Sequence, residues 1–260
     1  MFALEDAHWW FHGMEAIAAR LLDDARAAGM LPSPDACLAL DAGCGTGRNL
    51  RFLRRYSTRV TGLDYSAYAL NLCATRARAS RDESHWRLAR GSVNAMPFRD
   101  GSFDLVTCAD VLSHSAVNDV RALAEIARVL RPGGVLFLRV AAYDALRGKH
   151  DIAWSIAHRF HRPELRDKLC AAGLEVHRLS YANTWLFPVA LVKRILEGLL
   201  PGADGDHDDL HAGAGDSWLG KMLGRVLASE APWIARFPGG LPCGLSLVTL
   251  GRKAAAAPAP

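Results

Sequence analysis

Three glycines at every second position, Gly43, Gly45 and Gly47, follow an apolar run and the acid Asp41 in the stretch LALDAGCGTGRNL, with Cys44 between the first two. Bare positions let a backbone adopt left-handed conformations and approach a bound molecule closely. The spacing departs from the dinucleotide fingerprint G-x-G-x-x-G, whose third glycine would fall at position 48, where this chain has Arg48. A further acid, Asp64, ends the segment RVTGLD. Its two oxygens can accept two hydroxyl protons of a ligand; the alternative is a cap for the helix expected to begin at residue 67. His114, in CADVLSH, follows another apolar run and is a candidate general base, or else a positioning or structural residue. His158 and His161 in HRFHRPEL are further candidates to reach a substrate. Asp206, Asp208, Asp209 and His211 have the composition of a metal site but lack the glutamate and spacing of a calcium loop, so they read as a solvated link. The six cysteines are scattered without a C-x-x-C pair, and no metal or disulfide framework is expected.

These residues must be held by alternating strands and helices. Residues 37–41 read as a strand, 49–56 as a helix, 59–64 as a strand and 67–80 as a helix. HWRLARGS is a weak strand and FDLVTCA a strong one. A helix over 119–130 is stopped by RPGG, and VLFLRVAA then forms a buried strand. A helix over 163–172 ends at Gly173 before the strand LEVHRLSY, and GLSLVTLGR supplies the last strand. Repeated β-α units imply a mostly parallel sheet covered on both faces. Ligands on such sheets bind at the carboxyl ends of the strands, where the glycine loop falls.

Five elements in this order, LDAGCGTG, Asp64, GSVNAMPF, SFDLVTCADVLSH and RVLRPGG, make residues 38–142 resemble the class I S-adenosylmethionine-dependent methyltransferases. The resemblance implies a Rossmann-like, doubly wound, seven-stranded α/β sheet with an antiparallel last strand. It also implies S-adenosyl-L-methionine as cofactor. Asp41, Gly43, Cys44, Gly45 and Gly47 would then cradle the amino acid end, and Asp64, with Tyr65 beside it, would take the ribose diol. Ser92 and Val93 would edge the adenine, with Ser92 in place of the usual acid, and Ala109 and Asp110 would lie near the methionine end. The rival readings are a cofactor-binding protein without transfer activity and, further off, a dinucleotide-dependent oxidoreductase.

Two regions lie outside this core. Residues 1–34 form an N-terminal helical cap in which His8, Trp9, Trp10 and Phe11 precede a helix with Met14, Ile17, Leu21 and Leu22 on one face. HWWF is similar to the start of a bacterial methyltransferase subgroup. The cofactor-binding core is expected over 35–182 and its last strand over 243–252, with a disordered tail over 253–260. The intervening 183–242 is too long for a structureless loop and reads as a helical insertion. Its apolar stripes, Leu191, Val192, Ile195, Leu196 and Leu199 in one helix and Trp218, Met222, Val226 and Leu227 in another, are expected to form a lid over the acceptor. A dimer contact and a peripheral membrane surface are the other readings. No apolar run is long enough to span a bilayer and the start lacks the pattern of a secretory leader, so the expectation is a cytoplasmic monomer or homodimer. A net charge of +4 without a dense basic block argues against nucleic acid. The expected acceptor is a small molecule, a sugar-containing metabolite or a lipid-linked intermediate.

Overall fold

The computed structural model describes residues 8–80, 86–146, 155–189, 191–192 and 217–255. Seven strands, β1 (Leu38–Ala42), β2 (Arg59–Asp64), β3 (Trp86–Arg90), β4 (Phe103–Ala109), β5 (Leu130–Ala141), β6 (Leu174–Ala182) and β7 (Ser246–Lys253), form one sheet in the order β3-β2-β1-β4-β5-β7-β6. β7 runs antiparallel to both β5 and β6. The other pairings, of β1 with β2 and β4, of β2 with β3 and of β4 with β5, are parallel. The expected sheet is therefore the one found. Strand order reverses at β1, so the loop that leaves β1 opens into the crevice where such sheets bind ligands.

The helices are α1 (Trp9–Ala27), α2 (Arg48–Leu53), α3 (Ala67–Ser80), α4 (Asp119–Val129), α5 (Arg162–Ala171), α6 (Trp218–Ala228) and α7 (Ala231–Arg236). One face of the sheet is covered by the core of α1, α2, α3, α6 and α7, the other by that of α4 and α5. α1 starts where His8 Nδ1 accepts the Trp10 N–H at 3.2 Å, and it buries Met14, Ile17, Leu21 and Leu22, the predicted stripe. Asn118 caps α4 by accepting the Arg121 N–H at 2.9 Å. Asp119, read as lying near that helix's start, is its first residue.

Local differences from the sequence reading have physical causes. RPGG belongs to β5 instead of ending a helix: α4 stops at Val129, and β5 starts at Leu130 with a register shift against β4. Arg131 Nη1 grips both oxygens of Asp104 at 2.7 and 2.8 Å, which holds this irregular start beside β4, and Asp104 also accepts the Leu38 N–H at 2.8 Å. α2 ends at Leu53, short of residue 56, because Tyr56 turns inward and its hydroxyl donates to Ala19 O and pairs with Asp23 of α1. β7 continues to Lys253, whose ammonium donates to Leu130 O at 2.8 Å.

The stripe predicted for the helix at 217–229 is only partly buried. α6 buries Leu227 of that stripe together with Gly220 and Gly224, and half-buries Val226, while Trp218 and Met222 face solvent. A Cβ on Gly13 would sit 2.5 Å from Leu227 Cγ and one on Gly224 3.3 Å from Trp9 O, so α6 and α1 cross almost backbone to backbone. A periodicity read from large apolar residues cannot see a contact face made of glycine. α7 was not anticipated; it is six residues long and opens with Pro232 in its first turn. The helix expected from PVALVKRILEGLL falls mostly outside the described residues, as do Asp206, Asp208, Asp209 and His211.

Candidate functional site

The glycine loop lies at the carboxyl end of β1 and needs its glycines. Gly43, Gly45 and Gly47 have φ of +86, +53 and +87°, conformations that cost other residues strain. Gly43 and Gly47 are closed in by neighbours: an added Cβ would lie 2.2 Å from Val111 Cγ2 and 2.4 Å from Cys73 Sγ respectively. At Gly45 a Cβ would meet nothing within 4 Å. The first and third glycines thus pack the loop, and the middle one faces open space that a ligand can take.

Asp64 is tied to this loop. Its Oδ2 accepts the Gly45 N–H at 2.8 Å and its Oδ1 the Ser66 N–H at 2.8 Å. The N-cap role weighed for Asp64 belongs to Ser66, whose Oγ accepts the Ala69 N–H at 3.2 Å. Tyr65 next to it is 75% exposed. The Asp64 carbonyl accepts the Gly91 N–H at 3.0 Å, which brings the loop after β3 to the same edge. In that loop Val93 is buried, and Ser92 Oγ accepts the Asn94 N–H at 3.1 Å. Asn94 then reaches the loop after β4, donating to Ala116 O and accepting the Asn118 N–H. Arg128 fastens the remainder through Met96 O, Phe98 O, Glu125 and Asp100.

Asp41 is fully buried. Thr107 donates its hydroxyl to Oδ1 at 2.7 Å, and Oδ2 has no partner among the described residues. Burial pushes its pKa up to about 6, although the Thr107 hydroxyl and the Asn49 amide pull the other way. Thr107 and Asn49 line a small cleft walled by Phe11, Met14 and Glu15 of α1 and by Phe137 and Arg139 of β5. An unpaired acceptor beside such a cleft suits a cationic or amino group of a ligand.

At the end of β4, Ala109 and Asp110 reach the same edge, and Asp110 takes a left-handed φ of 62°. Arg139 Nε and Nη2 lie 2.9 and 2.5 Å from Asp110 Oδ2, and the guanidinium stacks 4.6 Å from the centre of the Trp10 ring. Arg48 pairs with Glu15 at 3.0 Å and lies over Phe11. The HWWF stretch therefore packs on the site's two arginines, and α1 covers the start of α2, where a dinucleotide pyrophosphate would need to sit. Sequence reading missed Arg139, Thr107 and Asn94. An arginine inside the apolar run VLFLRVAA was the visible signal for the first.

The histidines are arranged less suggestively. His114 is half-buried in the loop after β4, its main chain bridged to Ile156, and its ring makes no hydrogen bond among the described residues. His158 Nε2 lies 2.7 Å from Glu164 on the α5 side of the sheet. Asp119, His158 and Glu164 converge within 4.8 Å, but the ammonium of Lys168 sits among them, paired with Asp119 and 2.8 Å from Glu164. A cation is already supplied there. His161 precedes α5 and meets the Tyr143 ring edge-on. Of the cysteines, Cys37, Cys44, Cys73 and Cys108 are buried, and all six are free thiols.

The structure brings Asp41, the glycine loop, Asp64, Ser92, Val93, Ala109 and Asp110 together at one sheet edge. Comparisons with known proteins give the family. Residues 40–138 match the family model described as a methyltransferase domain. Over 179 residues the chain is 30% identical to the malonyl-[acyl-carrier protein] O-methyltransferase of Pectobacterium atrosepticum, covering 65% of this chain and 67% of that protein. Over 116 residues it is 35% identical to phthiotriol/phenolphthiotriol dimycocerosates methyltransferase 1 of Mycobacterium ulcerans, covering 44% of this chain and 39% of that protein. Apart from the first, the curated relatives are matched over less than half their length. The structure of the [4+2]-cyclase SpnF shares the fold, with a TM-score of 0.58 at 21% identity over 92% of this chain and 83% of that one. The chain belongs to the class I S-adenosylmethionine-dependent methyltransferase family.

Proposed function

We propose that this chain transfers a methyl group from S-adenosylmethionine to an oxygen or carbon of a small-molecule, sugar-containing or lipid-linked acceptor. The observation that carries the reading is the open space over Gly45, whose N–H donates to Asp64, together with the buried Asp41 oxygen that has no partner among the described residues. The cofactor, when bound, supplies a methyl group on a sulfonium, an electrophile that needs alignment and dryness more than activation. In this reading Asp64 accepts the two ribose hydroxyls, and Asp41 accepts the amino end, directly or through water. Ser92 and Val93 border the adenine. Ala109 and Asp110, held by Arg139, border the methionine end. His114 takes the proton of a hydroxyl acceptor or positions that hydroxyl. Relatives named for acyl-carrier, dimycocerosate, demethylmenaquinone and botryococcene substrates support an acceptor with an extended apolar part.

Titration calorimetry tests the cofactor, and radiolabelled methyl transfer into lipid and aqueous metabolite extracts tests the acceptor class. Binding of S-adenosylmethionine and its demethylated product, with label entering the lipid fraction, is the expected result. Tighter binding of a nicotinamide dinucleotide overturns the reading. A second reading, binding without transfer, draws on the fold shared with a cyclase and on Ser92, whose hydroxyl already accepts the Asn94 N–H. It predicts cofactor affinity with no label transferred to either extract.

A further inference from the structure

The loop between β4 and α4, residues 110–118, carries His114 and touches two other loops of the site, the glycine loop and the loop after β3. At its start Val111 lies over the glycine loop: a Cβ on Gly43 would sit 2.2 Å from Val111 Cγ2. Its far end is tied to the loop after β3 by one side chain, that of Asn94. Asn94 Nδ2 donates to Ala116 O at 3.2 Å, and Asn94 Oδ1 accepts the Asn118 N–H at 3.1 Å. A main-chain acceptor and a main-chain donor thus meet the two ends of a single carboxamide, and no other side chain of that length satisfies both.

Asn94 is anchored on its own side as well. Its N–H donates to Ser92 Oγ at 3.1 Å, the Ala95 N–H donates to Ser92 O at 3.1 Å, and Val93 is buried in the same core as Leu112. The turn beyond the bridge is a run of hydrogen bonds. The His114 N–H donates to Val111 O at 3.1 Å, the Val117 N–H to His114 O at 3.0 Å and the Ser115 N–H to Ser155 O at 3.0 Å. Ala116 and Asn118, the two residues that Asn94 grips, stand two and four positions past His114. A change in the order of residues 92–94 therefore reaches His114 through bonded backbone, with no slack segment between.

We infer that Asn94 is a positioning residue that couples the adenine side of the site to the His114 turn, so that a bound adenine steadies the acceptor side. The inference rests on the adenine lying beside Ser92 and Val93, as proposed above, and adds a second role for the cofactor besides donating a methyl group. An adenine packed on residues 92 and 93 favours the closed form of their loop, and Asn94 passes that preference to residues 114–118 through both ends of its amide. Cofactor then binds first and acceptor second.

Hydrogen exchange on the full chain tests it, because the amides of His114, Ser115, Val117 and Asn118 are all bonded and exchange only when the turn opens. The probes are S-adenosylhomocysteine and 5′-methylthioadenosine, which lacks the amino acid end, each brought to saturation by calorimetry. Both should slow exchange at residues 114–118 roughly fivefold, about the worth of one net hydrogen bond. In Asn94→Ala that slowing should vanish while affinity for both probes holds, since the N–H of residue 94 still reaches Ser92 Oγ. Asn94→Asp keeps the acceptor for the Asn118 N–H and loses the donor to Ala116 O, so it should retain part of the slowing; it carries the comparison if Asn94→Ala melts early. A residue that merely supports the fold would speed exchange in free and bound states alike and leave their ratio unchanged, and that result overturns the proposal. Protection by S-adenosylhomocysteine alone also overturns it, by routing the coupling through Val111 and Gly43, as does binding to the wild type without protection. Absence of binding to the wild type is a separate failure, that of the cofactor reading, and it removes this inference too.

Discussion

Arg139 reaches from β5 to Asp110 in the loop after β4 and meets a single carboxylate oxygen, Oδ2, with both Nε at 2.9 Å and Nη2 at 2.5 Å. The arginine side chain is 9% exposed and the aspartate 38%, so the pair is half-shielded, with Trp10 closing the far side of the guanidinium. Its role is to hold Asp110 at φ 62°, a backbone state that non-glycine residues seldom occupy unaided.

Arg139→Ala leaves Asp110 without its partner and Trp10 without its cation. The expected loss of stability is on the order of 2–4 kcal/mol, near the lower end because Asp110 still sees water. Cofactor affinity should fall with it. Arg139→Lys restores charge but not the paired contact, so it should recover stability more fully than affinity. Chemical denaturation and calorimetry on the two variants check this; equal recovery of both would leave Arg139 a purely structural residue.

Asp41 makes stability depend on pH in an unusual direction for an acid. Its folded pKa is raised to about 6 by burial, so the fold favours the protonated form. That advantage is complete below the unfolded value near 4 and is lost as pH rises through 6. The whole effect is about 3 kcal/mol. Asp41→Asn should therefore be more stable than wild type at pH 7 in the absence of cofactor, and the difference should vanish near pH 4. The same variant should bind S-adenosylmethionine more weakly at pH 7. Urea denaturation across pH gives the first result and calorimetry the second.

Gly45→Val places a branched side chain in the space left for the cofactor and strains a residue at φ +53°. Asp64→Ala removes the proposed diol acceptor and frees the Gly45 N–H. Each should weaken cofactor binding roughly tenfold or more. Unchanged affinity in both variants would remove the cofactor from this edge of the sheet. Gly13→Val is the contrasting case: it drives a side chain into Leu227, so stability should fall by about 1–3 kcal/mol or more through overpacking of α1 on α6.

The glycine loop and the strand ends were legible because the constraint there is local. A strand, an acid and alternating glycines specify a turn whatever packs around it, and the φ values of Gly43, Gly45 and Gly47 bear that out. Contacts that join distant segments were harder to read. Gly13 against Leu227 spans most of the chain, and nothing in either helix marks its partner. Arg139 is a charge in an apolar strand that the sequence reading passed over, and its two partners, Asp110 and Trp10, come from different elements. That the last strand of the sheet is antiparallel was foreseen through the family resemblance; its place between β5 and β6 was not, because periodicity is blind to strand order.

His114→Ala should keep cofactor affinity, since its ring makes no hydrogen bond to the glycine loop among the described residues. If His114 accepts the acceptor's proton, turnover falls and the acidic limb of the pH–rate profile disappears in the variant. If it only positions the acceptor, KM rises while the limb remains. Normal turnover would end both roles.

The place of β7 has a consequence for synthesis. β7, the seventh strand of the sheet in chain order, is an inner strand, hydrogen-bonded on both sides to β5 and β6. Until residues 246–253 emerge, β5 and β6 each present an unpaired edge, and the nascent chain carries two templates for intermolecular strand addition at once. Fragments that stop short of residue 246 should accumulate as aggregates, and a chaperone that shields strand edges should matter most in that interval. The final eight-residue strand thus closes the sheet instead of merely extending it.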